Sequence, residues 1–247
     1  MQHAHAASEP VAAHAPASPA RKALAYGVHL FTASGALVGL LAISEATRGN
    51  LQASALWMLA AMAIDAVDGT LARAVGVRSV LPRIDGRRLD DVVDYFNYVL
   101  VPVVFLVAGG YLTNPVWAAL PVLASAYGFA QDDAKTDDGF FLGFPSYWNV
   151  MAMFAWLLEV TAETCTAFVM LFTVLVFVPF KYVYPSHLHV LKRTTAVLTA
   201  LAAAVTVWAI ADPERGRALM LPWIGIAYVV YYFVLSFWLG GLHRKPA

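Results

Sequence analysis

The sequence of 247 residues contains a single cysteine, Cys165, so it can form neither an intramolecular disulfide nor a zinc site built on several thiolates. Charged residues are also scarce, at 13% of the chain, whereas soluble domains carry about 25%. The formal net charge is zero, and we predict no nucleic-acid partner because the chain has no basic excess. These shortages exclude a disulfide scaffold and disfavour an ordinary soluble domain.

Apolar residues make up 60% of the chain, and the mean hydropathy is +0.66. A membrane-spanning helix needs about 20 mostly apolar residues. Runs of this kind occur at 26–46, 54–73, 90–112, 115–131, 147–161, 164–184, 192–211 and 219–240. The fourth and fifth runs are short, so we predict an all-α, polytopic membrane helical bundle of six to eight transmembrane helices, with eight favoured.

The N-terminal 20 residues are rich in alanine, histidine and proline, which predicts a disordered tail. Residues 21–247 are predicted to form a single transmembrane domain. Lysine and arginine favour the cytoplasmic side of a membrane. With eight crossings and a cytoplasmic N-terminus, only Arg48, Arg215 and Arg217 fall on the opposite side. We therefore expect this orientation.

Four aspartates stand at the ends of the second and third predicted spans. Asp65 and Asp68 are three residues apart and Asp90 and Asp94 four apart, so each pair shares one helix face. A short loop joins the spans, and antiparallel packing lets the two acidic faces meet. Four carboxylates need compensating cations, and all-oxygen ligands suit magnesium, manganese or calcium. The alternative is that these aspartates pair with nearby arginines at a wet helix end.

Small and basic residues flank the aspartates. Gly69 and Gly86 let a ligand approach the backbone closely, and Ala72 is also small. The Arg73 guanidinium suits a phosphate or a neighbouring carboxylate. A pyrophosphate ligand is consistent with this set, since metal ions can clamp it during displacement. Asp91 lies on another face of its helix, and we expect it to be solvated or paired with arginine.

These residues together form a pattern that resembles the signature of the CDP-alcohol phosphatidyltransferase family: Asp65, Asp68, Gly69, Ala72, Arg73, Gly86, Asp90 and Asp94. The spacer at 74–85 is longer than in most members and resembles that of the bacterial phosphatidylcholine synthases. The stretches at 83–95, 143–149 and 181–186 resemble the same branch. The resemblance implies a bacterial inner-membrane enzyme whose domain at 21–247 is catalytic, with the signature motif at 65–94 and the active site facing the cytoplasm.

The resemblance also implies a reaction: phosphatidyl transfer from CDP-diacylglycerol to choline, with CMP and phosphatidylcholine as products, Mn²⁺ or Mg²⁺ as cofactor, and a homodimer. The implied metal ligands are Asp65, Asp68, Asp90 and Asp94, and Asp94 is also the implied general base. The implied CDP-binding residues are Asp68, Gly69, Ala72, Arg73 and Gly86. Serine, inositol phosphate or glycerol phosphate as acceptor remains an alternative, as does a cation or proton transporter.

A quaternary ammonium donates no conventional hydrogen bond and is best held by aromatic faces. Aromatic residues near the predicted cytoplasmic ends of the spans are therefore candidate choline contacts: Tyr95, Tyr98, Tyr147, Trp148, Tyr182 and Tyr184. The alternative is an interfacial aromatic belt that needs no ligand. His29 and Thr32, in the first span, are expected to form hydrogen bonds between helices.

Overall fold

The computed structural model describes residues 18–131, 134, 136, 138–184, 188 and 190–242. Its helices are α1 Pro19–Thr47, α2 Leu51–Val75, α3 Val77–Val80, α4 Gly86–Tyr95, α5 Val101–Ala108, α6 Pro115–Phe129, α7 Trp148–Leu157, α8 Ala162–Phe177, α9 Lys192–Ala211, α10 Pro213–Ala218 and α11 Leu221–Leu239. A π-helical turn, Phe96–Leu100, joins α4 to α5, and two strands, β1 Phe140–Leu142 and β2 Lys181–Val183, form a small sheet. Residues 1–17, most of the predicted tail, lie outside the described residues, and α1 begins at Pro19.

Five helices within the described residues are long and apolar enough to cross a membrane: α1, α2, the continuous segment Gly86–Ala108, α9 and α11. Three shorter apolar helices are α6, α7 and α8. Each of the eight predicted runs overlaps one of these helices, which confirms a polytopic helical membrane bundle. Large apolar side chains such as Leu30, Val92 and Trp238 are exposed, and a bilayer solvates them without the cost that water would impose.

Local sequence signals set the helix ends. Asn50 and Thr161 cap α2 and α8 by accepting hydrogen bonds from backbone N–H groups. Gly76 ends α2 at φ 68°, in the left-handed region that glycine adopts easily. The prediction of one helix over the sixth run, 164–184, is wrong at its C-terminal end, because α8 ends at Phe177. Pro179 forces the preceding residue, Val178, into an extended conformation at ψ 121°.

The residues after Pro179 form strand β2, which pairs antiparallel with β1 so that Phe140 faces Val183 and Leu142 faces Lys181. The Lys181 ammonium forms an ion pair with Asp138, just before β1. This ammonium and the Thr136 hydroxyl hold the pKa of Asp138 below its usual value. The sheet therefore ties the segment after α6 to the segment after α8.

Two glycines let α1 approach the π-turn closely. A methyl group added at Gly39 would overlap the Asn97 amide oxygen and lie 2.7 Å from Cε1 of Phe96. One added at Gly35 would lie 2.9 Å from Val93. Glycine at these positions brings two helix backbones together, as small residues commonly do in membrane bundles.

Replacement of Gly39 with alanine is expected to destabilise the fold by about 1–3 kcal/mol, because Phe96 and Asn97 must move to admit the methyl group. The measurement is the thermal unfolding midpoint in detergent. Gly27 is a matched control on the same helix, since a methyl group there meets no atom within 4 Å. Gly27→Ala should keep or raise the midpoint, and equal losses in both variants would contradict this account of the packing.

Candidate functional site

Three aspartates from α2 and α4 meet beside α1, against which both helices pack. Asp65, Asp68 and Asp90 each contribute a carboxylate oxygen, and these oxygens all lie within 4.8 Å of one another. Asp68 is buried, at 5% exposure, and the other two are partly buried. We call these residues the aspartate trio. Its all-oxygen donor set, at distances that one ion can bridge, fits a hard divalent cation such as Mg²⁺ or Mn²⁺.

Asp94 lies one helical turn beyond Asp90 on α4, and both residues line a cavity of about 440 Å³ together with Asp65. The structure thus brings three of the four predicted ligands within bridging distance of one another. It places the fourth on the wall of the adjoining cavity. From that wall the Asp94 carboxylate can meet a molecule that occupies the cavity.

Tyr98 makes a direct contact with the trio. Its hydroxyl donates a hydrogen bond of 2.6 Å to Oδ2 of Asp65. The sequence interpretation placed Tyr98 among the choline contacts and did not foresee this bond. The four-residue spacing from Asp94, which places both side chains on one helix face, is the signal that could have suggested it.

Among the described residues, the cavity beside the trio carries more acidic than basic groups. Its acidic wall residues are Asp65, Asp85, Asp90, Asp91 and Asp94, and its basic ones are Arg87 and Arg88. Asp91 was expected to point elsewhere, but the cavity extends around the N-terminal half of α4 and reaches it. Asp85 caps α4 by accepting from the backbone N–H groups of Arg87 and Arg88. This excess of carboxylates favours a cationic occupant.

No family model matches the chain. It is 40% identical over 229 residues to a phosphatidylcholine synthase of Legionella pneumophila, which covers 87% of this chain and 88% of that protein. A phosphatidylcholine synthase of Borreliella burgdorferi is 34% identical over 220 residues, covering 87% of this chain and 94% of that protein. One from Legionella bozemanae is 38% identical, covering 74% and 89% respectively.

The chain belongs to the phosphatidylcholine synthase family. This confirms the resemblance and places the protein among the transferases of phospholipid biosynthesis. The other acceptors and the transporter reading are not favoured by these relatives.

In this member of the phosphatidylcholine synthase family, two of the small signature residues, Ala72 and Gly86, lie next to α1. A methyl group at Gly69 would meet only the Arg73 guanidinium, at 3.4 Å, so the backbone there is accessible to a ligand. Ala72 packs against apolar residues of α1 and α3. The spacer at 74–85 contains the end of α2, the short helix α3 and a loop, and α3 packs against α1. Gly69, Ala72, Arg73 and Gly86 are described residues outside the cavity wall.

Gly86 differs from Gly69 because a side chain of α1 already lies against its Cα. A methyl group there would lie 3.1 Å from the His29 imidazole of α1, so the glycine admits a neighbouring helix as much as a ligand. His29 was expected to form a hydrogen bond between helices. Its Nε2 is buried and has no hydrogen-bond partner in the part of the chain that the structure describes. The hydroxyl of Thr32, one turn along α1, donates to the Val28 carbonyl of the same helix at 3.4 Å and also lies near Asp68.

The structure divides the six candidate choline contacts. Tyr98, Tyr147 and Tyr184 line the acidic cavity. The rings of Tyr98 and Tyr147 are 6.4 Å apart, and Tyr184 lies 4.6 Å from the ring of Phe141, which the sequence interpretation missed. Residues 185–187, which continue the stretch after β2, lie outside the described residues. The cavity therefore combines carboxylates with aromatic faces.

The remaining three candidates lie outside this wall. The Tyr95 hydroxyl donates to the Val122 carbonyl. Trp148 is completely buried, and its indole N–H donates to Ser125 at 2.7 Å. Tyr182 is buried, at 3% exposure. These contacts give all three a packing role.

Gly143 shapes the aromatic side of the cavity. Its φ of 80° is in the left-handed region, and a methyl group there would overlap the Val176 backbone. Its N–H donates to Phe180, and that of Phe144 donates to Leu175. The loop that carries Tyr147 is thus fixed against the end of α8.

Proposed function

We propose that this protein transfers the phosphatidyl group of CDP-diacylglycerol to free choline and releases CMP, with Mn²⁺ or Mg²⁺ held by Asp65, Asp68, Asp90 and Asp94. The observation that carries the proposal is the aspartate trio beside a cavity that is both acidic and aromatic. Family membership supports a phospholipid product. The metal, the acceptor and the residue roles are our inference.

The trio fits the metal because it supplies oxygen donors within 4.8 Å of one another, one of them on a buried residue. When bound, a divalent cation neutralises pyrophosphate charge and stabilises the departing CMP. The protein's own part is to orient the pyrophosphate. The proposed CDP contacts are Gly69, Arg73 and Gly86, together with Asp68 and Ala72. None of these five described residues lines the cavity, which is therefore left to the acceptor.

Asp94 is the proposed general base. It accepts the proton of the choline hydroxyl while the hydroxyl oxygen bonds to the phosphorus that carries the diacylglycerol. The bond from that phosphorus to the bridging oxygen breaks, and CMP leaves with the electron pair. A positioned base contributes about 10²–10⁴-fold to such a step. The place of Asp94 on the cavity wall beside Asp90 supports this role.

The cavity chemistry supports choline over the other acceptors. Tyr98, Tyr147, Tyr184 and Phe141 offer aromatic faces, and such faces attract quaternary ammonium ions by about 0.5–2 kcal/mol each. The carboxylates add a field that favours a cation. Inositol phosphate and glycerol phosphate would bring negative charge into an already acidic cavity. Serine would bring a carboxylate as well as its ammonium.

We further propose that the N-terminus and the site face the cytoplasm at a bacterial inner membrane. The arginine-rich α4 start, with Arg87 and Arg88, lies at the site end of the bundle. At other helix ends, Arg48 pairs with Glu45 and Arg217 pairs with Glu159. Arg87 and Arg88 are thus at the site end, and Arg48 and Arg217, which the sequence assigns to the opposite side, are paired with glutamates. This agrees with the preference of basic residues for the cytoplasmic side. A homodimer, which the family resemblance implied, stays a prediction.

The decisive test is an assay of CMP release by purified protein with CDP-diacylglycerol and Mn²⁺. Choline, serine, inositol phosphate and glycerol phosphate are offered separately, together with 3,3-dimethyl-1-butanol, which has the shape of choline without its charge. We expect turnover with choline, and at least about tenfold lower kcat/KM with the neutral alcohol, because it loses cation–π attraction. Turnover with serine but not choline would overturn the assigned acceptor.

A further inference from the structure

Tyr98 connects the two halves of the acidic site. It follows α4, whereas its hydrogen-bond acceptor, Oδ2 of Asp65, belongs to α2, and the two oxygens are 2.6 Å apart. Both side chains are partly buried and line the same cavity. Such a short bond from a neutral donor to a carboxylate is typical of a charge-assisted hydrogen bond.

The backbone around Tyr98 fixes where its hydroxyl points. Tyr98 lies inside the π-turn, where the Val101 N–H donates to the Phe96 carbonyl, five residues back. Pro102 has no N–H, so it cannot donate to the Tyr98 carbonyl as an ordinary α-helical residue would. Asn97 and Phe96 of the same turn press against Gly39 of α1. Single π-turns inside helices are frequently found at functional sites.

We propose that Tyr98 is a positioning residue for the metal site: its hydroxyl holds the Asp65 carboxylate in the orientation that faces Asp68 and Asp90. The inference rests on the proposed function, in which Asp65 is a metal ligand. Residues that hydrogen-bond to metal ligands fix their orientation, and losing one costs about 10–100-fold in metal affinity or activity. The role belongs to the hydroxyl, so it is distinct from any contact between the ring and choline.

The experiment uses Tyr98→Phe, which removes the hydroxyl and keeps the ring. Mn²⁺ affinity is measured by titration calorimetry on the full chain in detergent without lipid substrate. We expect affinity to fall about 10–100-fold. The matched control is Tyr95→Phe, three residues earlier, which removes a hydroxyl bonded to the Val122 carbonyl. Its Mn²⁺ affinity should equal that of the wild type.

Kinetics then separate positioning from acceptor binding. At saturating Mn²⁺, Tyr98→Phe should keep the choline KM, because the aromatic face remains, while its Mn²⁺ requirement rises in parallel with the weaker binding. The Mn²⁺-induced rise in thermal midpoint provides a second reading of affinity and shows that the variant is folded. Unchanged Mn²⁺ affinity, or an increased choline KM without weaker Mn²⁺ binding, overturns the inference. Wild-type protein that binds no Mn²⁺ overturns the proposed metal site itself.

Discussion

Asp94→Asn is expected to lower kcat by about 10²–10⁴-fold, because asparagine cannot accept the proton of the attacking hydroxyl. Asp94 lines the cavity beside Asp90 without joining the close trio. The variant keeps the three trio ligands and replaces the fourth proposed ligand by an amide oxygen, so Mn²⁺ and CDP-diacylglycerol should still bind. Single-turnover CMP release, measured with saturating choline and Mn²⁺, reports the chemical step.

Asp91→Asn is a matched control for this experiment. Asp91 is adjacent to Asp90 and lines the same cavity, so its replacement removes the same charge from the same space. Its kcat should stay near the wild-type value. Near-normal turnover in Asp94→Asn, or equal losses in the two variants, would refute the assignment of Asp94 as the base.

Asp68→Asn is expected to abolish tight Mn²⁺ binding and to lower kcat/KM on the order of 10²–10³-fold, since metal stabilisation of transferring phosphoryl groups is worth several kcal/mol. Asp68 is the most buried member of the trio, so a water molecule cannot easily take the place of its carboxylate as a ligand. Calorimetry and CMP release check both effects. Chelation of wild-type protein should produce the same loss, reversed by Mn²⁺ or Mg²⁺.

Asp85→Asn serves as the control for this second variant. Asp85 lies on the cavity wall outside the trio and caps α4, and asparagine is as good a helix cap as aspartate. The charge is removed while the helix end is kept. Asp85→Asn should retain Mn²⁺ affinity, and tight Mn²⁺ binding by Asp68→Asn would remove that residue from the ligand set.

Periodicity in the sequence was sufficient for the long helices and for the trio. The run 192–211 coincides with α9. The spacings Asp65–Asp68 and Asp90–Asp94 predicted that the acidic faces of two consecutive spans meet, and Asp65, Asp68 and Asp90 do come together. Both inferences need only one helix period and one short connection. The metal itself and the role of each ligand stay predictions.

Features that depend on contacts between distant parts of the chain could not be predicted from the sequence. Pro179 stopped α8, but the pairing of β2 with β1 links segments about 40 residues apart. Trp148 and Tyr147 are adjacent, yet one is fully buried and the other lines the cavity. The left-handed backbone conformation of Ser146, φ 56°, immediately precedes both residues and affects the directions in which their side chains leave the backbone. Such turns carry no periodic signal in the sequence.

The shortness of α6 and α8 has a consequence for how substrates arrive. They contain 15 and 16 residues, so each is about 22–24 Å long at 1.5 Å per residue, less than the hydrocarbon thickness of about 30 Å. Gly128 and Val176, near their C-terminal ends, both reach the cavity wall. Lipid next to short helices thins to match them. Under the proposed function, such thinning would bring lipid headgroups closer to the aspartates, so that a water-soluble alcohol and a two-tailed nucleotide lipid could meet without either leaving its own phase.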